Sequence, residues 1–330
     1  MAEFLTFDTD LTAVANAIRV KGGTSAQLIY PSGFVSAIQA IQTGITPKLV
    51  VTTTPGAAIT ATPAEGFKVV KGTAGADGMC TLELPKAGTW HVTAMANSVS
   101  NSQNIVIGTQ NMLLPLYHDT FANNTWEEII TVCRTGIAPD SWAVGDSKTM
   151  NIGGTAYQVD IIGKNHDEYA DGSGTAPLTF QLHDCYSEAK QMYSTNLSGL
   201  GWKNTDMRLT YLPAILALMP AEVQNGIHAV NKKTSEGGNS TTIETVSDTL
   251  FLLSEVEIFG TASSSVAGEG SQYDYYKAGN PKIKKREGVD EFWWERSSAS
   301  GGMFCRVRAN GQAGASNASN SLGVSFAFCF

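Results

Sequence analysis

Long apolar runs are missing from this chain. None approaches the roughly 20 residues that a membrane-spanning helix needs, so no membrane insertion is expected. Charge is also scarce, at 16% of 330 residues, and 30 acidic against 22 basic residues leave a net charge of −8. That balance argues against a general nucleic-acid binder, whose affinity comes chiefly from neutralising phosphates. The five cysteines, Cys80, Cys133, Cys185, Cys305 and Cys329, form no C-x-x-C pair, which excludes a zinc site built on that spacing. The N-terminus lacks the basic start, apolar core and cleavage site of a secretory signal. These absences lead to the expectation of synthesis in the cytoplasm, buried free thiols, and no metal or cofactor. A disulfide between Cys305 and Cys329 stays open as an alternative.

What is present is a hydrophobic content of 42%, enough for two or three domains with real cores. Residues 1–44 read as a small helical segment for attachment or oligomerisation. A helix runs from Asp8 or Thr9 to about Arg19, with Leu11, Val14, Ala15 and Ile18 on one face, and a second spans about Ser32–Gln42. The alternative is a small cap packed on the next domain. Residues 45–116 carry seven short β-rich runs separated by turn signals such as Thr54-Pro55-Gly56 and Ala76-Asp77-Gly78. That spacing predicts an immunoglobulin-like β-sandwich acting as a spacer. From 117 the pattern turns α+β. Thr125-Trp126-Glu127-Glu128 is a capping box, Gly153-Gly154 joins two strand-like runs as a hairpin, and Leu178–Leu182 adds a strand. Thr210–Met219 reads as helix, and Ile227–Asn231 and Leu250–Leu253 as strands.

The end of the chain, about 292–330, is built differently. Phe292-Trp293-Trp294-Glu295-Arg296-Ser297 and Gly323–Phe330 are aromatic and strand-like. Between Ser297 and Ser325, Ser, Ala, Gly and Asn supply 20 of 29 residues, and only Arg306 and Arg308 are charged. A segment with so little apolar surface would ordinarily be a linker. Here it is pinned at both ends by aromatic strands and in the middle by Phe304-Cys305 and Val307, which is how a rigid scaffold presents a loop-rich binding face.

WWERS, then FC-x-V-x-x-NG, then ASNS-x-GV-x-F-x-FC resembles the C-terminal end of C-type-lectin-fold domains in phage and prophage proteins, including the variable proteins of diversity-generating retroelements. Asp206-Met207-Arg208 with Leu212-Pro213, and Leu252–Gly260, match in the same order, so the resemblance covers roughly the last two-thirds of the chain. It implies a C-type-lectin-like ligand-binding domain over 117–330. In retroelement proteins template adenines are rewritten. The variable positions so implied are Ser298, Ala299, Ser300, Gly301, Gly302, Met303, Arg306, Arg308, Ala309, Gln312, Gly314, Ala315, Ser316 and Asn317. Met303 and Gln312 require a template codon other than AAC or AAT. The implied function is a phage tail-associated receptor-binding protein, carried on the virion. Its partners would be a bacterial cell-surface receptor (protein or glycan), other tail proteins through the N-terminal segment, and further copies of itself, as a homotrimer. The alternative is an invariant structural or adhesion module.

No enzyme is expected. His166-Asp167-Glu168 with Asp171 could ligate a metal or form a solvated loop. His183 and Cys185 share one face of a strand but lack an orienting third group. Lys282, Lys284, Lys285 and Arg286 could touch an anion or simply be solvated. Of Trp293 and Trp294, one should face the core and the other the surface or a subunit contact, and Glu295 and Arg296 form either an ion pair or ligand contacts. The lectin fold also hosts formylglycine-generating enzymes, whose reactive cysteine pair has no recognisable counterpart here.

Overall fold

The computed structural model describes residues 8–22, 47–64, 68–85, 87–107, 110–196, 199–238 and 240–330. The chain divides into two compact units, Met1–Leu114 and Pro115–Phe330, and is rich in sheet with few helices. The expected second helix, about Ser32–Gln42, lies outside the described residues.

In the first unit, helix α1 (Asp8–Gly22) buries Ala15 and Ile18, but Val14 is half exposed and not on the expected buried face. Seven strands follow: β1 (Lys48–Thr52), β2 (Ala58–Pro63), β3 (Val70–Thr73), β4 (Met79–Glu83), β5 (Gly88–Ala96), β6 (Val99–Ile107) and β7 (Gln110–Leu113). They form two sheets, in the orders β4-β1-β7 and β3-β2-β5-β6. Each sheet is apolar on one face only. Leu49 and Val51, Ile59 and Ala61, and Trp90, Val92 and Ala94 alternate inward at 0–1% exposure, so these strands show the period of two expected of a half-buried sheet. β6 is longer than its sequence pattern suggested, because Asn97 and Ser98, both at positive φ, close a tight turn that carries the β5 ladder on to Val99.

In the second unit, helix α2 (Trp126–Arg134) begins at the expected capping box. The Thr125 hydroxyl accepts from Glu128 N, and the Glu128 carboxylate accepts from Thr125 N. Strands β8 (Ser147–Ile152) and β9 (Thr155–Lys164) are joined at Gly153-Gly154, where both residues sit at positive φ. β10 (Leu178–Leu182) pairs with β9 on one side and with the terminal β18 (Ala327–Cys329) on the other, giving the order β18-β10-β9-β8. The last residues thus complete the central sheet. Phe180, Phe328 and Phe330 meet within 5.2–5.5 Å, and Tyr169 Oη bonds the Phe330 carbonyl.

Smaller pairs surround this sheet: β11 (Val230–Ser235) with β12 (Ile243–Asp248), and β13 (Lys284–Arg286) with β14 (Val289–Glu291). The expected strand at Leu250–Leu253 makes only an isolated bridge, Phe251 to Ala327, because these residues fill the core from an irregular segment. Helix α3 (Glu255–Phe259) follows, and β15 (Trp293–Ser298), β16 (Met303–Val307) and β17 (Ala313–Asn317) form the last sheet. All five cysteines are free and buried, so the Cys305–Cys329 bridge is not formed.

Candidate functional site

The last sheet rests on an unusually deep anchor. Trp293 pairs with Val307 and Trp294 with Arg306, but the next pair is Ser298 with Phe304, so β15 bulges across Glu295-Arg296-Ser297. A bulge re-aims side chains, and here every residue from Trp293 to Ser298 is buried. The expectation that one tryptophan faces outward is therefore corrected. Both are fully buried, and each indole N–H finds a carbonyl, Lys282 O for Trp293 and Lys190 O for Trp294.

Arg296 is fully buried beneath the sheet. Its guanidinium donates to both oxygens of Glu257 and to the carbonyls of Leu252, Lys233 and Glu269. Glu257 is also the third residue of a second capping box, accepting from Ser254 N at 3.0 Å. It pairs with Lys232 at 2.8 Å, and Lys232 reaches Asp167 at 2.6 Å and Tyr273 Oη at 3.0 Å. Burial would push the Asp167 carboxyl up, but the charges of Lys232 and His166 and the hydrogen bonds from Lys232 and Thr179 outweigh it and hold it at about 2. Burial likewise opposes the charge on Glu257, and Arg296 and Lys232 reverse that effect. Two cations and two carboxylates are thus ionised and mutually satisfied in the interior.

This network disposes of the metal reading of His166-Asp167-Glu168. Asp167 turns inward to Lys232, His166 stacks on Tyr273 at 3.9 Å, and Glu168 is exposed. Among the described residues no three His, Cys, Asp or Glu side chains stand where they could hold one ion. A cavity of about 470 Å³ opens over Lys232, Asp167 and Glu257, but its charged floor has spent its bonding capacity within the network.

The other constellations resolve similarly. His183 bonds Asp160 at 2.7 Å and is shifted up by that bond, whereas burial pushes the Cys185 thiol up to about 12, so the two form no nucleophile and base. The basic run is not a solvated loop. Lys284 is buried against the carbonyls of Leu182 and His183, and Lys285 and Arg286 pair with Asp290 and Glu291 across the β13–β14 hairpin.

Of the fourteen positions implied by the resemblance, ten are exposed or half-buried: Ser300, Gly301, Met303, Arg306, Arg308, Ala309, Gln312, Ala315, Ser316 and Asn317. Four need correction. Ser298 and Ala299 are 2% and 3% exposed because β15 continues through Ser298, and Ala299 N closes the turn onto Met303 O. Gly314 is buried under Arg308, whose Nε would lie 2.9 Å from a Cβ there. Gly302 is half-buried at φ +77°, and a Cβ would meet the Asn196 carbonyl at 2.5 Å.

Nor do all the positions share one side. The β16–β17 register puts Met303, Ala315 and Asn317 on the face of Cys305 and Val307. Arg306, Gly314 and Ser316 share the face of Phe304. Arg308, Ala309 and Gln312 occupy the turn at the far end, closed by Arg308 N to Gln312 O and Gly311 N to Arg308 O.

Lys232, Tyr273 and Glu269 belong to the supporting structure and were not singled out by sequence. A lone Lys at an inward strand position was the available signal, since Lys is almost never fully buried without a partner. Residues 179–330, from β10 to the end, match a family described as a domain of unknown function (DUF6273). Among curated proteins none matches the chain.

Proposed function

We propose that this chain is a non-catalytic recognition protein, a phage or prophage tail-associated receptor-binding protein. In this reading the second unit is a C-type-lectin-like display domain and the first carries an immunoglobulin-like spacer. One observation carries the reading. A segment dominated by Ser, Gly, Ala and Asn is held as an ordered hairpin by side chains at 0% exposure: Trp293, Trp294, Phe304, Val307, Val324, Phe326 and Phe328. Such a frame lets the outer positions change without changing the core, as a binding surface demands. The surface falls on the ten open positions rather than all fourteen. Weak single sites would gain from a trimer.

The test is binding of labelled protein to a panel of bacterial strains. Replacing Ser300, Ala309, Gln312 and Ser316 together by bulkier residues should alter which strains are bound and leave the melting temperature within about 2 °C. Unchanged binding, or unfolding, would overturn the reading. Light scattering giving a mass near 35.0 kDa would remove the trimer.

The burial of Ser298, Ala299 and Gly314, the tight fit of Gly302 and the split between two faces favour a second reading, an invariant adhesion module. Neighbouring DNA separates the two. A reverse transcriptase gene with an adenine-altered near-copy of the last segment belongs only to the first reading.

A further inference from the structure

Arg306 lies in β16 opposite Gly314, and Arg308, just past the end of the strand, lays its side chain over that same Gly314. Among the described residues neither has a carboxylate within 4 Å, and the half-buried Arg306 differs in this from the unit's other buried or half-buried arginines, Arg208, Arg286 and Arg296, which are all paired. Both guanidiniums are fixed rather than waving. Arg306 Nε donates to Ala315 O at 3.1 Å while its plane sits 4.2 Å over the Phe292 ring, and Arg308 Nε donates to Ala313 O at 3.1 Å. Gly314, lacking a side chain, leaves the space across β17 that Arg308 occupies.

The arrangement also leaves donors over. Arg306 Nη1 is buried with no partner among the described residues, an uncommon and costly state for a charged donor. Burial first, and then the neighbouring Arg308, weaken the hold of Arg306 on its proton. Two like charges held side by side without a counter-charge need an anion to offset them. In a protein of net charge −8, this pair is not a by-product of general basicity.

Resting on the display reading above, we propose that the Arg306–Arg308 face binds an acidic polysaccharide, the two guanidiniums taking carboxylates of successive or neighbouring sugars. Arg forks match carboxylate geometry. Around them the face offers the Gln312 amide, the Ser316 hydroxyl and backbone, which suit sugar hydroxyls.

Polygalacturonate, neutral dextran and poly-glutamate serve as probes, with the full chain at low and at moderate salt. Polygalacturonate should bind, weakening with salt, and dextran should not. R306Q/R308Q should weaken polygalacturonate binding at least tenfold with an unchanged melting temperature. A wild type that ignores polygalacturonate, a double variant that binds it as well, or poly-glutamate binding of equal strength overturns the proposal. The strain panel decides the display reading separately. If the bulky substitutions change strain binding while polygalacturonate fails, the display surface stands and only its ligand class falls.

Discussion

Glu295 offers a quantitative test of the interior. It is fully buried, neither carboxyl oxygen has a partner among the described residues, and its charged neighbours Glu255 and Glu269 are also acids. Burial first, then those two carboxylates, push its pKa well above the ordinary 4.5, so the folded chain holds a proton that the unfolded chain releases. The sign follows from proton counting. Above 4.5 the unfolded state binds fewer protons than the folded one, so stability falls as pH rises, until the folded-state pKa is reached. The slope for one proton is about 1.4 kcal/mol per pH unit. Glu295→Gln removes that proton from the balance. Its stability relative to wild type should therefore rise between about pH 5.5 and 7.5, at no more than that one-proton slope and only until the folded-state pKa is reached. Glu269, also shifted up by burial, is common to both proteins and cancels. Urea unfolding at three pH values, followed by tryptophan fluorescence, is the assay. Five of the six tryptophans, Trp126, Trp142, Trp202, Trp293 and Trp294, lie in the second unit and report on it. A gap that stays constant across this range would refute the assignment of a buried, neutral Glu295.

Other expectations follow from the same contacts. Arg296→Met should cost about 3–5 kcal/mol, because Glu257 loses the larger of its two cations while buried. Denaturant titration checks this, and a loss under 1 kcal/mol would contradict it. Trp293→Ala or Phe326→Ala should cost roughly 3–5 kcal/mol, whereas Ser300→Tyr should barely move the melting temperature. Equal effects would erase the distinction between frame and face. Gly302→Ala should destabilise by about 1–3 kcal/mol, from its positive φ and the Asn196 carbonyl, while Gly301→Ala should cost less, since a Cβ there meets only the far end of Met303 at 3.8 Å. Asp167, held at about 2, contributes stability that is present above its ordinary 3.8 and lost as pH falls from there towards 2. Asp167→Asn should flatten that part of the acid limb in a pH-unfolding curve.

Much of the local structure was legible in residue chemistry. The Thr125–Glu128 box, the Gly153-Gly154 turn and the Leu178–Leu182 strand are each set by neighbours in sequence, and their boundaries fall where short-range physics puts them. What was illegible depends on partners far along the chain. Lys232 and Asp167 are 65 residues apart, and Arg296 and Glu257 are 39 apart. Asp167 therefore read as a loop acid beside a histidine, and Arg296 as a flanking charge. Cover on both faces of β15 is the second cause. Trp293 and Trp294 stay in register with Val307 and Arg306, so alternation sends them to opposite sides, and both sides are buried, with the indole N–H groups bonded to Lys282 O and Lys190 O. Ser298, which the resemblance assigned to the variable surface, is buried because β15 continues through it. At Gly302 and Gly314 the limit is steric, set by Asn196 and Arg308, and such contacts leave no mark in local sequence.

The buried network also bears on the display surface proposed above, which is made largely of small residues. Ser, Gly and Ala bring little contact area, so a surface made of them binds weakly if ordering must be met from binding energy. In this hairpin the ordering is already complete before any partner arrives. Arg296 ties β15 to α3 and to the carbonyls of Leu252, Lys233 and Glu269, and Phe304 and Val307 tie β16 to the core. Both connecting turns are closed by backbone bonds, Ala299 N to Met303 O and Arg308 N to Gln312 O. None of these interactions uses an outward-facing side chain. Substitution at Ser300, Ala309, Gln312 or Ser316 therefore leaves the anchors intact. By the same logic, a change at Glu257, remote in sequence from the hairpin, would loosen it more than any change on its exposed face.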